Sequence, residues 1–271
     1  MEHKDILYSK ENFVGTITLN RPQKHNALTQ DMLIEMRRML LGTEADDEVR
    51  VVVIKGAGGK AFSSGFDLSP DRGHKPQNGI EWRAHLQSNN NAFQTIWEMG
   101  KPVIAQVQGH CLAGAFDMMT ACDLVVCTEN SMFGEPEILF GGTSQYLMLP
   151  YVIDLRICKQ LMLTGEKIDA QTALRANLVN YVVSEEEIDT VVANLCGRMC
   201  KLPYGTLQLN KRALNRAYDL MGVPEAVKMS LDAAHYSLVC KSAEAQAFND
   251  VVAEKGLKAA FAWRDEKFGK S

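Results

Sequence analysis

The 271-residue chain lacks what would send it to a membrane or to nucleic acid. No window reaches the ~18 uninterrupted apolar residues of a membrane-spanning helix. The opening Met1-Glu2-His3-Lys4-Asp5 has none of the apolar run of a signal peptide. The expected location is therefore the cytoplasm. Positive charge is scarce as well: 29 Lys and Arg stand against 33 Asp and Glu, a net charge of −4, and no segment clusters its cations. Nucleic acids and anionic membranes are held by clustered positive fields, so neither is expected as a partner. An anionic ligand must be met by a few local cations.

Disulfide-framework spacing is missing too. Seven cysteines (Cys111, Cys122, Cys127, Cys158, Cys196, Cys200, Cys240) are an odd number scattered through apolar context, as expected of reduced, partly buried thiols. Cys196 and Cys200 could share a helical face, but with no second cysteine pair or nearby histidine the pair reads as packing rather than zinc ligation. No metal is expected, and no cofactor.

Two stretches do carry a chemical signal, Lys60-Ala61-Phe62-Ser63-Ser64-Gly65-Phe66-Asp67-Leu68 and Gly109-His110-Cys111-Leu112-Ala113-Gly114-Ala115-Phe116-Asp117. Each is a glycine-containing bend after an apolar strand-like run, able to aim a backbone N–H at one point where negative charge develops; two such donors make an oxyanion hole. Neither contains a Gly-x-Ser-x-Gly elbow, a Walker lysine or a metal-ligand cluster. The polarising groups are then main chain, with carboxylates nearby for proton transfer, a combination that points to enolate chemistry on an activated acyl group.

The first third alternates strand and helix signals. Residues 13–19 and 50–54 read as strands, the second short and apolar as in strands buried on both faces. Thr29 is a plausible N-cap, with Asp31 in the first turn and Met32, Leu33, Met36, Met39 and Leu40 on one helical face. Residues 69–79 read as a loop, 80–99 as a helix, 102–107 as a strand, 113–121 as a helix and 123–127 as a strand. Strand, glycine bend, helix, strand is a crossover unit favouring a parallel sheet. From about Tyr146 helix signals dominate, with one short strand over 178–183. An α/β core with a helical tail is expected.

Six pieces, in order, resemble the crotonase superfamily, the enoyl-CoA hydratase/isomerase family. They are Ile17-Thr18-Leu19-Asn20-Arg21-Pro22 with Asn26-Ala27-Leu28; Phe62-Ser63-Ser64-Gly65-Phe66-Asp67-Leu68; Gly109-His110-Cys111-Leu112-Ala113-Gly114; Ala121-Cys122-Asp123; Phe133-Gly134-Glu135-Pro136-Glu137; and Leu163-Thr164-Gly165-Glu166-Lys167-Ile168. The resemblance implies an α/β fold whose spiral of ββα turns occupies residues 1–200 and holds the acyl-CoA site. A C-terminal helical region over 201–271 would mediate a homotrimer or a dimer of trimers. It implies an acyl-CoA thioester as substrate, its carbonyl oxygen held by the N–H groups of Phe66 and Gly114, with Lys24, Ala27, Ser64, Gly65, Asp67 and Leu68 binding substrate or CoA. CoA enters as part of the substrate and no separate cofactor is implied. Lys255, Lys258 and Lys267 are weaker candidates for the CoA phosphates.

Where hydratases of this family carry two catalytic glutamates, the chain has Asp117 and Glu137. Asp117 is one methylene shorter than the glutamate it replaces and reads equally as a first-turn aspartate favouring the helix dipole. Glu135 reads as a surface acid, and His85 and His110 as packed or surface histidines. The segment 138–150 is shorter than its family counterpart and lacks an arginine; bulky Tyr146 and Met148 there bear on the acyl group rather than on the reaction type. The leading expectation is a 2-enoyl-CoA hydratase. A Δ3,Δ2-enoyl-CoA isomerase, another crotonase-type lyase or hydrolase, and a non-catalytic acyl-CoA-binding scaffold are the alternatives.

Overall fold

The structure, a computed structural model, describes residues 4–69 and 76–269. Most of the loop expected over 69–79 lies outside the described residues. Numbered along the chain, the strands are β1 (Ile6–Glu11), β2 (Val14–Leu19), β3 (Val51–Gly56), β4 (Ala61–Ser63), β5 (Val103–Val107), β6 (His110–Leu112), β7 (Leu124–Thr128), β8 (Met132–Gly134), β9 (Lys167–Asp169) and β10 (Tyr181–Val183). The helices of the first half are α1 (Gln30–Glu44), α2 (Gly79–Glu98) and α3 (Gly114–Thr120). Then come α4 (Leu149–Val152), α5 (Leu155–Thr164), α6 (Ala170–Arg175), α7 (Ile188–Cys200), α8 (Tyr204–Leu220), α9 (Val223–Val239), α10 (Ala243–Lys255) and α11 (Leu257–Phe268).

Two sheets share the strands. The larger runs β1-β2-β3-β5-β7-β10 and is parallel except for the β1–β2 hairpin; the smaller runs β4-β6-β8-β9. The chain thus turns as a spiral: β3-β4-α2, then β5-β6-α3, then β7-β8, each turn adding one strand to either sheet. Successive turns bring the ends of β4, β6 and β8 side by side, with β4 beside β6 and β6 beside β8, both parallel.

The period of two explains why β3 is an unbroken apolar run. Val52 and Ile54 face the main core, whereas Val51 and Val53 join Ile104, Val126 and the α7 residues Ile188, Val192 and Cys196 on the opposite face. Alternate side chains of one strand bury against different layers. Cys196 is therefore packing, and no group of metal-ligating side chains occurs among the described residues. All seven cysteines are free. Helix α1 follows the expected signals: Thr29 Oγ1 accepts from Met32 N–H at 3.2 Å, and Met32, Leu33, Met36 and Leu40 are buried.

Five strands went unread in sequence. In β1 only Ile6 is buried, so no alternation marks it, and β4, β6, β8 and β9 are three residues each, too short to show a period. No helix among the described residues is long and apolar enough to cross a membrane.

Candidate active site

Where β4 and β6 end, the two glycine bends meet. Gly65 holds φ +93°, in the left-handed region that favours glycine, and a Cβ there would lie 2.7 Å from Ala113 Cβ and 3.3 Å from Gly114 N. Leu28 bridges Phe66 in parallel fashion: Leu28 N–H donates to Gly65 O at 2.8 Å and Asp67 N–H to Leu28 O at 2.9 Å. In such a pairing the bridged residue turns its own N–H to the other side, and Phe66 N–H makes none of the described hydrogen bonds. Gly114 opens α3, so its N–H has no acceptor within the helix. Ala113, just before it, sits at φ +52°, a strained conformation for a residue with a Cβ.

Asn26 fixes the neighbouring loop. Fully buried, it accepts from Arg21 N–H at 2.9 Å and donates to Ala57 O at 2.9 Å and Ala61 O at 2.8 Å, tying residues 21–28 to the start of β4. Arg21 Nη1 donates to Ala27 O at 2.7 Å and pairs with Asp67 Oδ2 at 2.8 Å. Asp67 Oδ1 also accepts from the Ser69 N–H and hydroxyl. Burial works against ionised Asp67, but Ser69 and Arg21 outweigh it and hold the carboxyl below its ordinary value. Asp67 thus braces the bend from below. Ser64 and Lys24 are exposed, Ala27 and Gly65 buried and Leu68 half-buried, all beside this loop.

Three carboxylates gather opposite. Asp117, in the first turn of α3, is buried; its Oδ1 accepts from Ser144 Oγ at 2.7 Å and its Oδ2 from the N–H groups of Gln145 and Tyr146, each at 3.2 Å. Desolvation pushes its pKa up to about 7 despite these three bonds. Glu137 lies on the 3-10 turn Pro136–Phe140, where its carbonyl accepts from Gly142 N–H at 2.8 Å. Its pKa is pushed up to about 8, first by burial and then by the Asp117 charge. Glu135, expected at the surface, is instead 2% exposed, and burial and then Glu137 and Asp117 lift its pKa well above the ordinary carboxylate range. The residue points inward because it follows β8, an inner strand of the smaller sheet.

Aromatic packing ties the site to the rest of the fold. Phe93 of α2 stacks on Phe66 with centroids 6.4 Å apart and meets Tyr146 edge-on at 5.6 Å. Tyr146 and Met148 are core residues, 0% and 1% exposed. At the tail end, Phe248 of α10 stacks on Phe140 at 5.4 Å, next to the turn that carries Glu137. His110 is exposed, and His85 packs edge-on against Trp82 at 5.7 Å, so neither stands among the three acids.

Known proteins share this arrangement of elements. Residues 9–263 match the enoyl-CoA hydratase/isomerase family. A short-chain-enoyl-CoA hydratase of Clostridium acetobutylicum is 35% identical over 80% of this chain and 83% of its own. A crotonyl-CoA hydratase of Syntrophomonas wolfei is 32% identical over 86% and 89%. Among solved structures, an enoyl-CoA hydratase/isomerase from Xanthobacter autotrophicus Py2 superposes with a TM-score of 0.93, at 37% identity over 97% of this chain and 98% of that one. A crotonase spiral that brings its two glycine bends together, matched along almost its whole length, places this chain in the enoyl-CoA hydratase/isomerase family.

Proposed function

We propose that this chain is a 2-enoyl-CoA hydratase. The observation that carries the reading is the pairing of Glu137 and Asp117, two acids raised to about 8 and about 7, beside the two inward N–H groups. The thioester oxygen sits between Phe66 N–H and Gly114 N–H, and the α3 N-terminus adds the favourable end of its dipole. Polarised in this way, the thioester supports an enolate when water adds at Cβ. Water addition needs one proton removed from the nucleophile and one delivered to Cα, and carboxyl groups with pKa values near working pH serve for both. Glu137 moves the protons: its carboxylate makes none of the described hydrogen bonds and is free to turn. Asp117, held by three donors, orients the water. The reaction requires no group beyond the thioester's own CoA.

Lys24, exposed at the rim, is the proposed contact to CoA phosphates, with Ser64, Gly65, Ala27 and Leu68 along the thioester path and Asp67 as brace. The assembly is a homotrimer or a pair of trimers, which would cover the exposed apolar side chains of α8 and α9: Leu209 and Leu214 are 66% and 64% exposed, Met229 and Tyr236 71% and 68%. Light scattering giving a monomeric mass would remove this part. A cytoplasmic location is part of the same reading, supported by seven free thiols.

Loss of enoyl absorbance on a panel of short, branched and cyclic 2-enoyl-CoAs tests the activity; no turnover on any of them sinks it. One observation favours a second reading. Asp117 already serves three donors, which suits a Δ3,Δ2-enoyl-CoA isomerase, where Glu137 alone shuttles a proton. Double-bond migration of a 3-enoyl-CoA in deuterated water, without a hydroxylated product, would select it.

A further inference from the structure

Beside the acids, several buried polar atoms have no hydrogen-bond partner among the described residues. Both carboxyl oxygens of Glu135 are in this state, as are both side-chain amide atoms of Gln145 and the Oδ1 of Asn90. Each of these residues is 2% exposed. Polar groups buried this deeply are nearly always bonded, and these come from three separate elements: the end of β8, the 141–148 segment and α2.

Their contacts run to the reacting region. Gln145 N–H donates to Asp117 Oδ2 at 3.2 Å, and its carbonyl accepts from Asn90 Nδ2 at 2.6 Å. The charges of the same acids, Glu137 and Asp117, raise the pKa of Glu135. Three residues beyond Asn90 on α2, Phe93 touches both Phe66 and Tyr146. Against that aromatic wall the unbonded amides and acid stand out, because a hydrocarbon acyl chain would draw nothing from them.

We propose that the acyl pocket is built for an acyl-CoA carrying an uncharged oxygen substituent beyond Cβ, a hydroxyl or a ketone, hydrogen-bonded by Gln145, Glu135 and Asn90. The proposal rests on the acyl-CoA reading above. Asp117 and Glu137, which ionise at about 7 and about 8, repel an anionic substituent. Glu135, kept neutral by burial and by two acidic neighbours, offers an O–H, and the Gln145 amide offers a donor and an acceptor. Glu135 and Gln145 have flexible stems that can turn toward the substituent, whereas Asn90 is anchored through its Nδ2. A site that bonds a substrate oxygen rejects the analogue without it, since its own groups are then left unpaired.

Calorimetric titration of the whole protein with pentanoyl-CoA and with 4-oxopentanoyl-CoA tests this without needing turnover, because both are saturated. At least ~10-fold tighter binding of the oxo compound is expected, shrinking toward equality in Gln145→Met and retained in Glu135→Gln, which keeps a donor at that position. Equal affinities, or tighter binding of pentanoyl-CoA, overturn the proposal; so does tighter binding of an acyl-CoA bearing a trimethylammonium group, which would mark a cation-binding pocket. The wild-type comparison decides the matter even if Gln145→Met does not fold. A preserved oxo preference with no hydration of any enoyl-CoA would sink the hydratase reading alone, whereas no binding of either thioester would sink both.

Discussion

The ring of Phe66 rests on the backbone of Gly114: a Cβ at position 114 would lie 2.1 Å from Phe66 Cε2 and 2.4 Å from Cζ. The same two residues supply the proposed oxyanion donors. One half of the hole is thus packed directly on the other, and glycine at 114 is what allows it.

Gly114→Ala forces that ring away and displaces the donor pair. A fall in kcat of ~10²-fold or more is expected, comparable to losing one oxyanion donor, with the circular dichroism spectrum unchanged. Steady-state kinetics on the best enoyl-CoA measures it, and a near-normal kcat would show that Phe66 can move without cost to the hole.

Glu137→Gln keeps the shape of the side chain but cannot transfer a proton. Activity should drop by ~10²- to 10⁴-fold, the usual contribution of a positioned acid or base. Thermal stability should hold, since the Glu137 carboxylate makes none of the described hydrogen bonds.

The pH response follows from the two raised acids. Asp117 and Glu137 titrate as a coupled pair, so a bell-shaped profile is expected with both limbs between about pH 6 and 9, centred on values of about 7 and about 8. For stability the sign is that of groups whose folded pKa lies above the unfolded one. Their contribution is full below about pH 4, the ordinary carboxylate range, and is lost as pH rises through 7 to 8. The melting temperature should therefore decline across this window, and less steeply in Asp117→Asn; identical slopes in both proteins would contradict the assignment.

Ser144→Ala removes a hydrogen bond that favours ionised Asp117. The limb of the activity profile that follows Asp117 should shift to higher pH, with a stability loss of about 1 kcal/mol. A shift to lower pH would mean that Ser144 does not support the charged form.

Lys211→Met probes how the helical tail is held. Lys211 Nζ, on α8, pairs with Asp123 Oδ2 at 2.7 Å and donates to Ile96 O and Lys101 O at 3.0 and 2.9 Å. Removing it leaves Asp123, whose side chain is 20% exposed, without its cation, at a cost of about 1–3 kcal/mol, readable by chemical denaturation. A loss under 1 kcal/mol would show that the pair is dispensable.

Patterns confined to one element were legible from residue order. The buried face of α1, its Thr29 cap, the doubly buried β3 and both glycine bends lie where local spacing puts them. Glu135 was misread because an acid in a short segment after a strand is ordinarily solvated, and no local signal says that β8 is an inner strand. The brace formed by Arg21 and Asp67 escaped notice for the same reason, since its partners are far apart along the chain. Residue order marked Tyr146 only as bulky; the fold buries it edge-on against Phe93, which also stacks on Phe66.

Residue types and spacing by themselves determined the two glycine bends and the α/β class, because backbone conformation is set within a few neighbouring residues, whereas Asp117 and Glu137 stood out only through the family resemblance. Only the tertiary structure decided how the acids differ. Folding the spiral buries Asp117 under three donors, leaves the Glu137 carboxylate without a hydrogen bond among the described residues and brings Glu135 in beside them. Desolvation and charge repulsion act between groups that the chain order keeps apart and the fold brings together.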